Sequence, residues 1–174
     1  MKKVVIYCSA SNAVPQAFNS CAAAVVEGLF KKGYGIVSGG TFLGTMGVVS
    51  DTVASCGGYH KGVLPQFMVN NAYKGLTETV WTGTMAERKE EMRRDTVAAI
   101  AFPGGIGTLD ELIETLVLKK LAQYQGRVIL LNINGFFNPL LTLLDHYVTT
   151  GMMSAQDRGL IEVFDSPEGL LELF

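Results

Sequence analysis

The sequence is poor in the residues that build disulfide frameworks and metal sites. It holds 3 cysteines and 2 histidines in 174 residues. Cys8, Cys21 and Cys56 are odd in number, widely spaced and free of any C-x-x-C pairing. Neither a disulfide scaffold nor a zinc ribbon fits that pattern. They read as small buried residues of a reducing compartment, and the expected location is cytoplasmic. His60 and His146 have no ligand-spaced partner, so no metal site is expected. Charge of one sign is also scarce: 14 Lys and Arg face 16 Asp and Glu, for a net charge of −2, with no block of like charges. No basic field recruits nucleic acid. No apolar run is long enough to span a bilayer. The apolar run in MKKVVIYCSAS is too short for a signal-peptide core and reads as a first strand. Nucleic acid and membrane are therefore not expected partners.

Apolar residues are plentiful, at 48%, and 174 residues suit one domain over 1–174 with a sizeable core. Short apolar runs alternate with helical patterns. Strands are expected at Val4–Cys8, Gly35–Val37, Gly62–Leu64, Glu78–Thr82, Val97–Phe102, Arg127–Ile133 and Ile161–Phe164. Helical spacing falls at Pro15–Lys32, Gly44–Cys56, Met85–Arg94, Thr108–Gln123 and Pro139–Thr150, and Ser166-Pro167-Glu168 opens a terminal helix in cap order. This alternation predicts an α/β fold with a mainly parallel sheet flanked by helices, a Rossmann-like three-layer arrangement. The stretch Phe67–Thr77 is the least regular and is expected to be a mobile loop near a site.

Ligands of such sheets bind beyond the carboxyl ends of the strands. Three strand ends stand out: Cys8-Ser9-Ala10-Ser11, Ser38-Gly39-Gly40-Thr41 and Pro103-Gly104-Gly105-Ile106-Gly107-Thr108. Each leads to a helix N-terminus, where free N–H groups and the helix dipole favour phosphate. Glycine lets the backbone approach an anion and adopt positive φ. Gly39 and Gly44 have the Walker A spacing, but Thr45-Met46 follows in place of Lys-Ser/Thr. Gly105-x-Gly107 meets Asp110 where a dinucleotide fingerprint needs its third glycine. Neither an NTPase nor an NAD enzyme fits. Thr108-Leu109-Asp110-Glu111 has the form of a capping box, with Thr108 as N-cap and Glu111 at N3. That accounts for Thr108 and Glu111 but not for three glycines in one turn.

Met85-Ala86-Glu87-Arg88-Lys89-Glu90-Glu91-Met92-Arg93-Arg94 reads as a solvated helix with a few ion pairs. Arg88 is the exception. It sits one turn from both Met85 and Met92 and is expected on the apolar side. Trp81 and the methionines are expected in the core or an interface, with Met46, Met85 and Met92 as candidates for lining a base pocket.

Pro103-Gly104-Gly105-Ile106-Gly107-Thr108-Leu109-Asp110-Glu111 resembles the PGGxGTxxE motif of the Lonely Guy (LOG) family, cytokinin riboside 5′-monophosphate phosphoribohydrolases formerly described as lysine decarboxylases. Met85-Ala86-Glu87-Arg88-Lys89 resembles its M-x-x-R-K, and Ser38–Gly47 its GGGxxGLMG. The likeness runs over nearly the whole chain. It implies hydrolysis of the N-glycosidic bond of a nucleoside 5′-monophosphate to free base and ribose 5-phosphate, a homodimer, and no metal or redox cofactor. By the same resemblance Arg88 and Glu111 are the catalytic residues. Substrate would be held by Gly39, Gly40, Met85, Lys89, Gly104, Gly105, Ile106, Gly107 and Thr108. The alternative is a nucleotide or molybdenum-cofactor carrier or sensor on the same fold, without turnover. Several positions depart from the family pattern. Ser38 replaces the first glycine of the run, and Cys8-Ser9-Ala10-Ser11 lacks its glycine. Val69–Ala72 offers no acidic counterpart, and Val117–Ala122 replaces T-W-x-Q-L-G. These departures point to an altered base preference.

Overall fold

A computed structural model describes all 174 residues. Seven strands, β1 Lys3–Tyr7, β2 Gly35–Ser38, β3 His60–Pro65, β4 Glu78–Thr82, β5 Thr96–Ala101, β6 Arg127–Leu131 and β7 Ile161–Phe164, form one sheet in the order β4-β3-β2-β1-β5-β6-β7. Every neighbouring pair is parallel. The helices are α1 Gln16–Lys31, α2 Gly44–Cys56, α3 Met85–Arg93, α4 Ile106–Lys120, α5 Asn138–Thr149, α6 Ala155–Arg158 and α7 Pro167–Leu171. The α/β expectation holds, with a wholly parallel sheet. The short helix α6 was not expected.

Strand side chains alternate between two cores. Val4, Ile6, Ile36, Ile100 and Ile129 face α1, α2 and α7. Val5, Tyr7, Val37, Ala99 and Leu130 face α3, α4 and α5. With both faces covered, the strands read as continuous apolar runs. Each fully buried large side chain contributes on the order of 2 kcal/mol.

The chain winds from β1 toward β4 in one direction and from β5 toward β7 in the other. The strand order therefore reverses between β1 and β5, and a crevice opens there beyond the strand ends. The first part of the stretch Phe67–Thr77 belongs to a 3-10 segment, Gln66–Asn71. It is tied to the turn after β2 by Phe42 N–H to Asn71 O at 3.2 Å and Tyr73 N–H to Gly40 O at 2.8 Å.

Candidate active site

The turn after β5 delivers Pro103–Gly105 to the start of α4. The helix begins two residues earlier than the sequence pattern indicates, with Gly105 as its N-cap. Thr108 therefore sits within the first turn, not at the cap, and no capping box with Glu111 forms. A local pattern of Thr and Glu is outweighed here by a glycine that lets the helix start sooner. The consequence is chemical. No side chain caps this terminus, and the N–H groups of Ile106, Gly107 and Thr108 have no partner in the protein. Three donors and the positive end of a 15-residue helix face outward.

The glycines of this turn are not there for left-handed backbone. Gly104, Gly105 and Gly107 all lie outside the positive-φ set, contrary to the expectation from composition. Their role is the missing side chain. A Cβ on Gly104 would overlap the Thr108 hydroxyl, whereas a Cβ on Gly105 or Gly107 would project into open space. The last two leave room for a ligand.

One turn further on, Glu111 points inward and is 6% exposed. Its Oε1 accepts from Arg88 Nη1 at 2.8 Å. Arg88, equally buried, comes from α3, and its Nε donates to Val63 O at the end of β3, 3.0 Å away. Burial pushes the Glu111 carboxyl up from the ordinary carboxylate range, and the Arg88 guanidinium works against that shift. Thr115 fixes the same helix by bonding Glu111 O at 2.6 Å and the Tyr7 hydroxyl at 2.9 Å.

The charged helix α3 is not a solvated one. Lys89 bonds Asp110 at 2.9 Å and also pairs with Glu114, while Arg93 reaches Glu114 at 2.6 Å. Burial acts upward on Glu114, but these two cations outweigh it and hold its carboxyl below the usual range. Lys61 on β3 takes Glu91 from the other side at 2.5 Å. Ion pairs thus bolt α3 between β3 and α4, and Lys89 is one of the bolts. The N-terminus of α3 does carry a capping box, Thr84 with Glu87, which the sequence reading overlooked.

Gly39 and Gly40 turn their open faces to protein. A Cβ on Gly39 would overlap the Arg88 guanidinium and the Met46 thioether. Gly40, at φ +68°, lies against the Gly62 backbone. Of the methionines, Met46 is buried beside Arg88, Met92 is fully in the core and Met85 is exposed at the start of α3. Trp81 is 41% exposed on the edge strand β4 and does not belong to the core.

A cavity of about 810 Å³ lies between the far ends of α3 and α4, around Arg94, Gln123 and Tyr124. It contains none of the residues above except the lining face of α3 and Glu114. A smaller one of about 190 Å³ opens at the strand-order reversal, between Ser9, Ser11, Phe18, Pro103, Gly104 and Phe136. The smaller cavity adjoins the helix terminus whose N–H groups have no protein partner. Sequence reading missed the Val63 carbonyl, because any residue type supplies one. It also missed Phe18 and Phe136, whose edge-to-face contact at 5.6 Å joins distant segments.

Residues 46–174 match a family model described as "Possible lysine decarboxylase". Cytokinin riboside 5′-monophosphate phosphoribohydrolase LOG5 of Arabidopsis thaliana is 34% identical over 159 residues, which are 90% of this chain and 70% of that protein. LOG2 of Arabidopsis thaliana, of the same name, is 31% identical over 174 residues, 99% of this chain and 82% of that one. Among solved structures, the molybdenum cofactor binding protein of Rippkaea orientalis superposes with a TM-score of 0.74 at 22% identity, covering 99% of this chain and 95% of its own. The molybdenum cofactor carrier protein of Chlamydomonas reinhardtii gives 0.75 at 20% identity, with 99% and 96% covered. At such identities the likeness of structure shows a common fold.

Proposed function

Because the chain belongs to the LOG family, we propose that it is a phosphoribohydrolase. It cleaves the N-glycosidic bond of a nucleoside 5′-monophosphate to free base and ribose 5-phosphate. The observation that carries this reading is the buried Arg88–Glu111 pair one helical turn from three unpartnered N–H groups. In this reading the open terminus takes the phosphate and the buried pair acts on the sugar.

The 5′-phosphate docks on the N–H groups of Ile106, Gly107 and Thr108, in the space that Gly105 and Gly107 leave open. Its binding energy brings the ribose to Glu111. The C1′–N bond breaks with its electron pair leaving on the base, and positive charge grows on the sugar. The Glu111 carboxylate stabilises that charge, orients a water toward C1′ and takes the water's proton as its oxygen bonds C1′; the proton then passes to the departed base, which restores the carboxylate. Arg88 opposes the rise that burial imposes on the Glu111 carboxyl and offers Nη2 to substrate oxygens. Lys89 serves by locking α3 to α4.

A carrier needs the helix terminus but not the pair. The identities to the carrier proteins support fold alone. The test is release of ribose 5-phosphate from AMP, GMP, CMP and isopentenyl-AMP by wild type and Glu111→Ala. Release by wild type that is lost in the variant supports the hydrolase. Tight binding without release from any monophosphate supports a carrier. The ranking among bases reads the altered preference that the sequence departures imply.

A homodimer belongs to the same proposal. Ile106, Leu109, Val117 and Leu121 form an exposed apolar stripe along α4, and a second copy covering it would bring its own surface to the mouth of the site. Val117→Glu is expected to halve the mass measured by light scattering; an unchanged mass places any assembly elsewhere.

A further inference from the structure

His60 is 1% exposed on β3, and its Nδ1 has no hydrogen-bond partner. Leaving a polar atom buried and unpaired is costly, and an apolar side chain of similar size would bury at lower cost. The ring's other nitrogen, Nε2, lies 2.8 Å from Ser38 Oγ. Ser38 is itself fully buried at the end of β2, and its Oγ accepts from Gly40 N–H at 3.1 Å. The chain of contacts continues. Gly40 is in left-handed backbone and lies directly on the Gly62 backbone of β3. Between Ser38 and Gly40, the bare face of Gly39 meets the Arg88 guanidinium. On the β3 side, three residues after His60, Val63 O accepts from Arg88 Nε.

The two halves of the seat that holds Arg88 therefore come from segments of neighbouring strands, the Gly39 face from the turn that follows β2 and the Val63 carbonyl from β3. The one side-chain hydrogen bond between these strands next to that seat is Ser38 to His60. We infer that Ser38 and His60 are positioning residues for Arg88: their bond locks the Gly39–Gly40 turn onto β3 and so fixes the guanidinium against Glu111. Neither residue touches substrate. The inference rests on the catalytic role given to Arg88 above only where turnover is the readout; the geometry is testable without it.

The test uses His60→Leu, His60→Gln and Ser38→Ala in the full chain. The first readout is solvent exchange of the Arg88 Nε–H proton, followed by NMR on 15N-arginine-labelled protein and assigned by its absence in Arg88→Lys. Exchange should accelerate at least about tenfold in His60→Leu and Ser38→Ala. His60→Gln, whose amide reaches the Nε2 position, should restore most of the protection. The second readout is turnover of a nucleoside monophosphate. A fall in kcat of about tenfold with KM nearly unchanged is expected for His60→Leu, again with partial rescue by Gln. Protection of Arg88 at the wild-type level in both His60→Leu and Ser38→Ala overturns the inference. If His60→Leu does not fold, Ser38→Ala, which removes one hydroxyl, decides alone. If wild type turns over no monophosphate, the proposed activity has failed, and the Arg88 exchange rates still decide the positioning role.

Discussion

Two glycine-rich turns that look alike in sequence open α2 and α4 and are built for opposite ends. At α2 the terminus is mostly filled, two of its first three N–H groups having partners. Asn12 Oδ1 accepts from Gly44 N–H at 2.9 Å and Ser9 O from Met46 N–H at 3.1 Å. Gly44 is in left-handed backbone, and a Cβ there would run into the Ser11 backbone. At α4 none of the first three N–H groups has a protein partner, no glycine is left-handed, and two glycines face open space. The same residue type serves close backbone packing in one turn and leaves open space in the other. Glycine count alone does not mark a phosphate site; the fate of the N–H groups does.

The sharpest way to break this contrast is to remove the chemistry beside the open turn. Glu111→Gln keeps the side-chain volume and a bond to Arg88 but no charge, and turnover should fall by about 10³-fold with KM little changed. A variant within tenfold of wild type would remove Glu111 from the reaction. In wild type, kcat/KM should rise with pH through a carboxyl titrating above its ordinary value of 4.5, since burial disfavours the charged form.

Acid should strike the filled turn. Burial lowers the His60 pKa from 6.5 to about 4. The unfolded chain thus binds the proton more readily, and stability is lost as pH falls from 6.5 toward 4, by about 3 kcal/mol in all. His60→Leu should flatten that part of the pH–stability curve measured by urea unfolding. An unchanged slope would assign the acid sensitivity to other groups.

A pair of alanine substitutions should move the two turns in opposite directions. Gly44→Ala forces a side chain into left-handed backbone against Ser11, and should destabilise by about 2 kcal/mol or more. Gly107→Ala meets no protein atom and improves helix propensity, so it should stabilise by about 0.5 kcal/mol. It should also raise KM for a nucleoside monophosphate by crowding the phosphate. Thermal unfolding and steady-state kinetics on both proteins read all three effects. A lower Tm for Gly107→Ala, or an unchanged KM, would mean that the open face is not a ligand face.

The smallest effect is expected from Asn12→Ala, which uncovers Gly44 N–H and should lower stability by about 1 kcal/mol, as loss of a helix cap does. Binding of AMP should be unaffected, because α2 is not the phosphate terminus. Weakened binding would join the two turns into one site.

Periodicity and punctuation determined the order of strands and helices, because apolar runs of a buried parallel sheet and amphipathic helices differ in length and spacing. The PGGxGTxxE stretch and the R-K pair marked the neighbourhood of the site for the same local reason: those residues are adjacent in the chain. Tertiary structure alone decided what each does. Whether Thr108 caps α4 depended on where the helix begins, and Gly105 moved that start. Whether α3 is solvated depended on Lys61, Asp110 and Glu114, which arrive from β3 and α4. Arg88 found its seat in a carbonyl of β3 and a bare glycine of the turn after β2, and no spacing along the chain encodes a contact whose partners are brought together by crossovers.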